Sequence, residues 1–289
     1  MFRGTSTAII TPFTKDGRVD EEALRRLVDF QEENGIDAIV PCGSTGESAM
    51  LSHDEHIRVV EVVTDQVRRA KVIAGAGSNS TSEAVMLSKR AEDIGVNGLL
   101  SVSPYYVKPT QEGIYRHFEA IAGSVGIPVI VYNIPGRTGS NVTADTMIRM
   151  TEIEGICGVK EASGNLDQIM DIVRRRPKGF EVLSGDDSFT MPMMRGGADG
   201  VISVLSNCMP GKMAELVGLL SKGDHDKADK LNTELSPMYE GLFVETNPIP
   251  IKYAMGRLGY GNGVPRLPLT PLSEEGKKKL DPVLERMGL

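Results

Sequence analysis

The stretch Ile156-Cys157-Gly158-Val159-Lys160-Glu161-Ala162-Ser163-Gly164 is a short apolar run that ends abruptly in an ammonium group. A run of this length, bounded by glycine, reads as a strand buried on both faces, the kind that parallel sheets use. Side chains alternate across a strand, so Ile156, Gly158 and Lys160 are expected on one face, with Cys157 and Val159 on the other. Gly158 leaves the position beside the lysine empty, which gives a long side chain room to fold over a small molecule. Burying an ammonium is costly, and a desolvated lysine gives up its proton readily and becomes a nucleophile toward carbonyl groups. A lysine snorkelling from a strand end toward solvent would look the same in this run alone. The surrounding segments decide between the two.

Seven further runs of the same kind occupy residues 4–10, 36–40, 72–76, 98–102, 128–132, 180–184 and 200–204, most of them separated by a helix-length segment. Asp20 is placed to cap a helix whose buried face carries Leu24, Leu27 and Val28. Ser52 with Glu55 and Ser80 with Glu83 read as capping boxes. Eight alternating βα units predict an α/β protein of the (β/α)8 barrel type over residues 1–222. An open doubly wound sheet would compete, but no G-x-G-x-x-G follows the first run. From Met209 onward the pattern is helical only and exceeds what an eighth barrel helix needs. Residues 223–289 therefore read as a helical appendage packed on the barrel and broken at Pro248 and Pro250.

Composition limits the partners. With 32 basic against 39 acidic residues and a net charge of −7, the chain lacks the basic face that nucleic acid or an anionic membrane requires. Cys42, Cys157 and Cys208 are far apart, and two of them lie in apolar runs, so neither a disulfide framework nor a metal knuckle is indicated. A reducing cytoplasm fits. No signal-like head and no run of membrane-spanning length is present.

Barrel enzymes draw their reactive groups from the carboxyl ends of different strands. Here those ends hold Thr11, Ser44 and Thr45, Asn79, Tyr105 and Tyr106, Tyr132, Lys160, Gly185 and Ser206. The set is rich in hydroxyls and offers no metal site, since only four histidines exist and none accompanies a carboxylate cluster at a strand end. His53 and His56 fall in the first turn of a capped helix, and a Ser-His-Asp triad has no histidine to use. Gly43-Ser44-Thr45-Gly46 is either a plain tight turn or one whose N–H groups hold a small anion. Tyr132 alternates with residues 128 and 130, so if that face is the barrel interior, its phenol and the Lys160 amine share one cavity.

Several segments together resemble one family. Gly43-Ser44-Thr45-Gly46-Glu47, Pro104-Tyr105-Tyr106, Tyr132-Asn133-Ile134-Pro135-Gly136-Arg137-Thr138-Gly139, Val159-Lys160-Glu161-Ala162 and Gly185-Asp186-Asp187 are similar to the pyruvate-dependent class I aldolase barrels of the dihydrodipicolinate synthase and N-acetylneuraminate lyase family. The likeness runs in order over nearly the whole chain, including the tail motif at 243–250. It implies a metal-free lyase in which Lys160 forms a Schiff base with pyruvate, while Thr45 and its turn bind the pyruvate carboxylate. Tyr132, Ser44 and Tyr106 would relay protons, with Tyr106 reaching in from a neighbouring subunit of a homotetramer made of two tight dimers. Arg137 would hold the carboxylate of the second substrate, and Gly185 and Ile202 would line the pyruvate pocket.

Ser44 stands where the branch condensing pyruvate with aspartate semialdehyde, on the way to diaminopimelate and lysine, usually has threonine; serine is familiar from the sialic-acid lyase branch. Arg137 points back to the condensing branch, because a guanidinium suits a short acidic aldehyde better than a long sugar chain. The resemblance also places Ser48, Ala49, His53, His56, Asn79, Glu83 and Tyr105 where feedback-regulated members bind lysine, and so implies a lysine effector. The competing functions are a retro-aldolase acting on a 2-keto-3-deoxy sugar acid or N-acetylneuraminate, and a non-catalytic barrel that only binds small molecules. Loss of Lys160 or Tyr132 would mark the latter, and both are present.

Overall fold

Eight short parallel strands follow one another around a closed ring, as a computed structural model of residues 1–289 shows. They are β1 (Gly4–Ala8), β2 (Ala38–Val40), β3 (Lys71–Gly75), β4 (Gly98–Val102), β5 (Val129–Asn133), β6 (Ile156–Glu161), β7 (Glu181–Ser184) and β8 (Gly200–Ser203). Each pairs with the next, and β8 returns to β1. Between the strands run α1 (Glu21–Glu33), α2 (His53–Gln66), α3 (Thr81–Ile94), α4 (Gln111–Ala122), the short α5 (Pro135–Thr138), α6 (Ala144–Met150), α7 (Leu166–Arg175) and α8 (Thr190–Arg195). A C-terminal helical region follows: α9 (Pro210–Ser221), α10 (His225–Gly241), α11 (Ile249–Arg257) and α12 (Glu274–Arg286). No helix is long and apolar enough to cross a membrane.

The strands are continuously apolar because both faces are buried in different layers. Val40, Ile73, Leu100, Ile130, Leu183 and Ile202 fill the barrel interior. Ile39, Val72, Leu99, Val131, Val159 and Val182 face outward against the helices. Caps fix the helix starts: Asp20 accepts from the Ala23 N–H, and Ser52 and Glu55 form a complete capping box.

Three local expectations are corrected. Alternation along β6 breaks, because Val129 pairs with Ile156 while Ile130 pairs with Gly158, and Cys157 is the extra residue of a bulge. Ile156 therefore joins the outer layer and Cys157 packs beside the inner one, while Lys160 keeps its inward direction. Gly158 does not open space beside the lysine: a Cβ there would lie 2.6 Å from the Glu181 carbonyl oxygen, so glycine is needed to let β6 and β7 approach. The capping box at Ser80 and Glu83 is absent, because the Glu83 carboxylate is engaged by the Ser78 hydroxyl and by His53 at 2.6 Å. In the tail the helical pattern breaks between α10 and α11, as expected, with Pro248 capping α11 and Pro250 in its first turn.

Gly158→Ala is expected to lower stability by about 1–3 kcal/mol through overpacking against backbone. Denaturant unfolding would measure this, and an unchanged midpoint would contradict the close approach.

Candidate active site

The register of β5 and β6 sets Tyr132 directly beside Lys160, with Nζ 4.3 Å from the centroid of the phenol ring. Lys160 is 5% exposed, and the charged groups that act on it do so through space, without a hydrogen bond. Burial pulls its pKa down to about 8; Asp187 and Asp186 oppose the fall and the Arg137 guanidinium adds to it. Burial pushes the Tyr132 phenol up to about 12, against the pull of Arg137 and the Ser44 hydroxyl. Near neutrality the site thus pairs an amine close to losing its proton with a phenol that keeps one.

Gly185 leaves the room that Gly158 does not. A Cβ at Gly185 would lie 3.0 Å from Lys160 Cε and 3.1 Å from its Cγ, so the lysine stem occupies the volume of the missing side chain. The Gly185 N–H donates to the Glu161 carbonyl at 2.8 Å, which ties the end of β7 to the end of β6. Ile202, on β8, is fully buried among the inner side chains.

The turn after β2 carries Ser44 and Thr45, whose backbone N–H groups donate to no protein acceptor. Such a turn is suited to hold an anion. Thr45 Oγ1 accepts from Asn247 Nδ2 at 3.0 Å, and the Asn247 carbonyl accepts from Arg137 Nη2 at 2.8 Å. Asn247 thereby joins the turn to the arginine, and its own Oδ1 is buried without a partner. Nothing in its sequence surroundings marks this role apart from the tail motif at 243–250.

Arg137 stands on α5 at the wall of a 460 Å³ cavity that Ser44 and Asn247 also line. Lys160 does not line this cavity; Ser44 and Arg137 do, and both also act on the Tyr132 phenol. Six of the seven expected effector residues, Ser48, Ala49, His53, His56, Glu83 and Tyr105, line the same cavity, and Asn79 does not. His56 Nε2 lies 2.7 Å from the Gly75 carbonyl, and burial lowers its pKa, so the ring is a neutral donor. Tyr106 is not brought to Lys160 within this protomer: it is 85% exposed with φ +72°, and its N–H donates to the Thr138 carbonyl at 3.1 Å. Thr11 and Ser206, two other strand-end hydroxyls, are turned into backbone contacts with Gly46 and Ser203. No group of three or more His, Cys, Asp or Glu side chains is assembled in a metal-binding arrangement.

A buried amine of lowered pKa, a phenol that keeps its proton and a turn with free N–H groups, gathered at the carboxyl ends of parallel strands, suit a barrel enzyme that works on carbonyl compounds. More particularly, the chain belongs to the Dihydrodipicolinate synthetase family, whose profile matches residues 1–287. The 4-hydroxy-tetrahydrodipicolinate synthase of Syntrophus aciditrophicus is 51% identical over 290 residues, covering 100% of this chain and 99% of that protein. The crystal structure of dihydrodipicolinate synthase from Aquifex aeolicus superposes with a TM-score of 0.97 at 47% identity, over 100% of this chain and 99% of that one. The 4-hydroxy-tetrahydrodipicolinate synthase from Methylacidiphilum fumariolicum SolV gives 0.98 at 46% identity, over 100% and 96%.

Two substitutions probe the geometry. Gly185→Ala should press on the Ala162 Cβ, 2.8 Å away, and on the Lys160 stem, displacing the amine slightly and slowing adduct formation with a keto acid on the order of 10-fold while the fold persists; an unchanged rate would contradict the contact. Arg137→Met removes a positive charge that depresses the Lys160 pKa, so the pH profile of adduct formation should move to higher pH, and a shift to lower pH would refute that coupling.

Proposed function

We propose that this chain condenses pyruvate with L-aspartate 4-semialdehyde to give 4-hydroxy-tetrahydrodipicolinate, working through a Schiff base on Lys160. The observation that carries this reading is the desolvated Lys160 amine lying against the Tyr132 phenol. The neutral amine adds to the keto carbon of pyruvate, and loss of water, helped by a proton from a neighbouring hydroxyl, leaves the imine. Removal of a methyl proton gives the enamine, whose carbon attacks the aldehyde of the second substrate; the aldehyde oxygen takes up a proton, and the semialdehyde's own amine then attacks the imine carbon, closing the ring and expelling Lys160 as the free amine. Tyr132, with Ser44 beside it, is placed to deliver and recover these protons. The free N–H groups at Ser44 and Thr45 suit the pyruvate carboxylate, with Gly185 and Ile202 forming the pocket wall. Arg137, held in place by Asn247, suits the semialdehyde carboxylate through a two-pronged contact.

The retro-aldolase alternative shares Lys160, Tyr132 and Ser44. Arg137 in the cavity wall and full-length relatives at about half identity that carry the synthase name both favour condensation. The exposed Tyr106 at the rim fits a hydroxyl supplied to a partner's site, in a homotetramer built of two tight dimers. The His53, Glu83 and Ser48 wall of the cavity fits an L-lysine effector, with Glu83 pairing the ligand's ammonium group. A cytoplasmic biosynthetic enzyme with free, reduced cysteines is consistent with this reading.

Pyruvate plus borohydride should add the mass of reduced pyruvate to the peptide containing Lys160, and a coupled assay should show turnover only when aspartate semialdehyde is also supplied. Tyr132→Phe should reduce turnover by roughly 100- to 10,000-fold. Absence of the adduct in the unaltered protein, or turnover of a sugar acid in place of the semialdehyde, would overturn the assignment.

A further inference from the structure

Glu47 and Lys252 form an ion pair in which neither side chain is more than 1% exposed, with Nζ 2.5 Å from Oε1. They join the turn after β2 to α11, across 205 residues of chain. Lys252 Nζ also donates to the Thr11 carbonyl at 3.0 Å and lies 3.8 Å from the centroid of the Phe13 ring. The second Glu47 oxygen accepts from the Arg266 N–H at 2.8 Å. The Arg266 guanidinium in turn donates to Gly17 and Met50 carbonyls and pairs with Glu55. Glu47 itself has φ +59°, a left-handed conformation that is uncommon for a side chain of its kind, so it must be held there. Two and three residues before it are Thr45 and Ser44. Gly46, between them, is tied by its carbonyl to Thr11 Oγ1 at 2.6 Å.

A buried ion pair generally adds little stability over apolar residues of the same shape. This pair does something that apolar residues would not: it fixes the direction of Glu47 and, through it, the orientation of the two free N–H groups at Ser44 and Thr45. Asn247, on the same tail, holds Thr45 from the other side. We propose that Lys252 and Glu47 are positioning residues for keto-acid binding, so that the C-terminal tail sets the geometry of the anion-binding turn. The inference rests on the reading that this turn receives the pyruvate carboxylate.

The test uses the full-length protein and the double variant Glu47→Leu with Lys252→Met, which removes both charges together. Thermal melting, the pyruvate concentration that half-saturates borohydride trapping, and KM for aspartate semialdehyde are measured side by side. The double variant is expected to melt cooperatively, to need on the order of 100-fold more pyruvate for half-saturation, and to leave KM for the semialdehyde nearly unchanged. Trapping that saturates at the pyruvate concentration of the unaltered protein would overturn the proposal, as would equal losses for both substrates. Should the double variant fail to fold, Glu47→Gln keeps the volume and decides the matter: about a tenfold weaker response to pyruvate supports positioning, and an unchanged response refutes it. Trapping on Lys160 of the unaltered protein separates the two readings, since its absence would remove the Schiff-base reading itself.

Discussion

Desolvation of the Lys160 amine inside a ring of apolar side chains is the constraint on which the site depends. Moving a lysine from its ordinary range to about 8 corresponds to about 3 kcal/mol against the ammonium form. The closed barrel makes that possible, because β5 and β7 flank β6 and the lysine side chain is left only 5% exposed. The balance of nearby charge keeps the value useful. Asp187 and Asp186 oppose the fall in the Lys160 pKa, while the Arg137 guanidinium adds to it. Asp187 is fixed for this by the Val204 and Leu205 N–H groups, at 3.0 and 2.9 Å, beyond the end of β8.

Around that amine the molecule divides its labour between barrel and tail. Strand ends supply Tyr132, Lys160 and the glycine that makes space for the lysine. The turn that carries Ser44 and Thr45 follows the shortest strand, the three residues of β2, and is anchored by groups from elsewhere: Asn247, Lys252 and Arg266 all come from the C-terminal region. Arg137 is oriented by the same tail through the Asn247 carbonyl. The tail therefore forms part of the cavity wall and holds the turn that carries Ser44 and Thr45.

The sequence carried the fold clearly because parallel barrel strands are buried on both faces, so each appears as an apolar run between capped helices. Lys160 and Tyr132 were legible for a related reason: each closes such a run, and once eight runs are read as a barrel both fall at the carboxyl ends of its strands. Details that depend on neighbouring backbone were not legible. The bulge at Cys157 and the clash that requires Gly158 arise from pairing partners that no local pattern encodes. Glu83 reads as a capping residue until His53 and Ser78, brought near by folding, claim its carboxylate. Lys252 reads as an ordinary helical cation, because its carboxylate partner lies 205 residues away. Asn247 has no periodicity or charge to distinguish it.

The account stands or falls on the protonation state of one side chain. Lysine labelled with nitrogen-15 would allow the Lys160 amine to be titrated directly by NMR in the unliganded protein, with Lys160→Arg serving to assign its signal. A midpoint near pH 8 is the result expected from burial within the barrel. A midpoint near 10.4, the value of a solvated lysine, would show that the amine is not desolvated and would contradict the chemistry assigned to it.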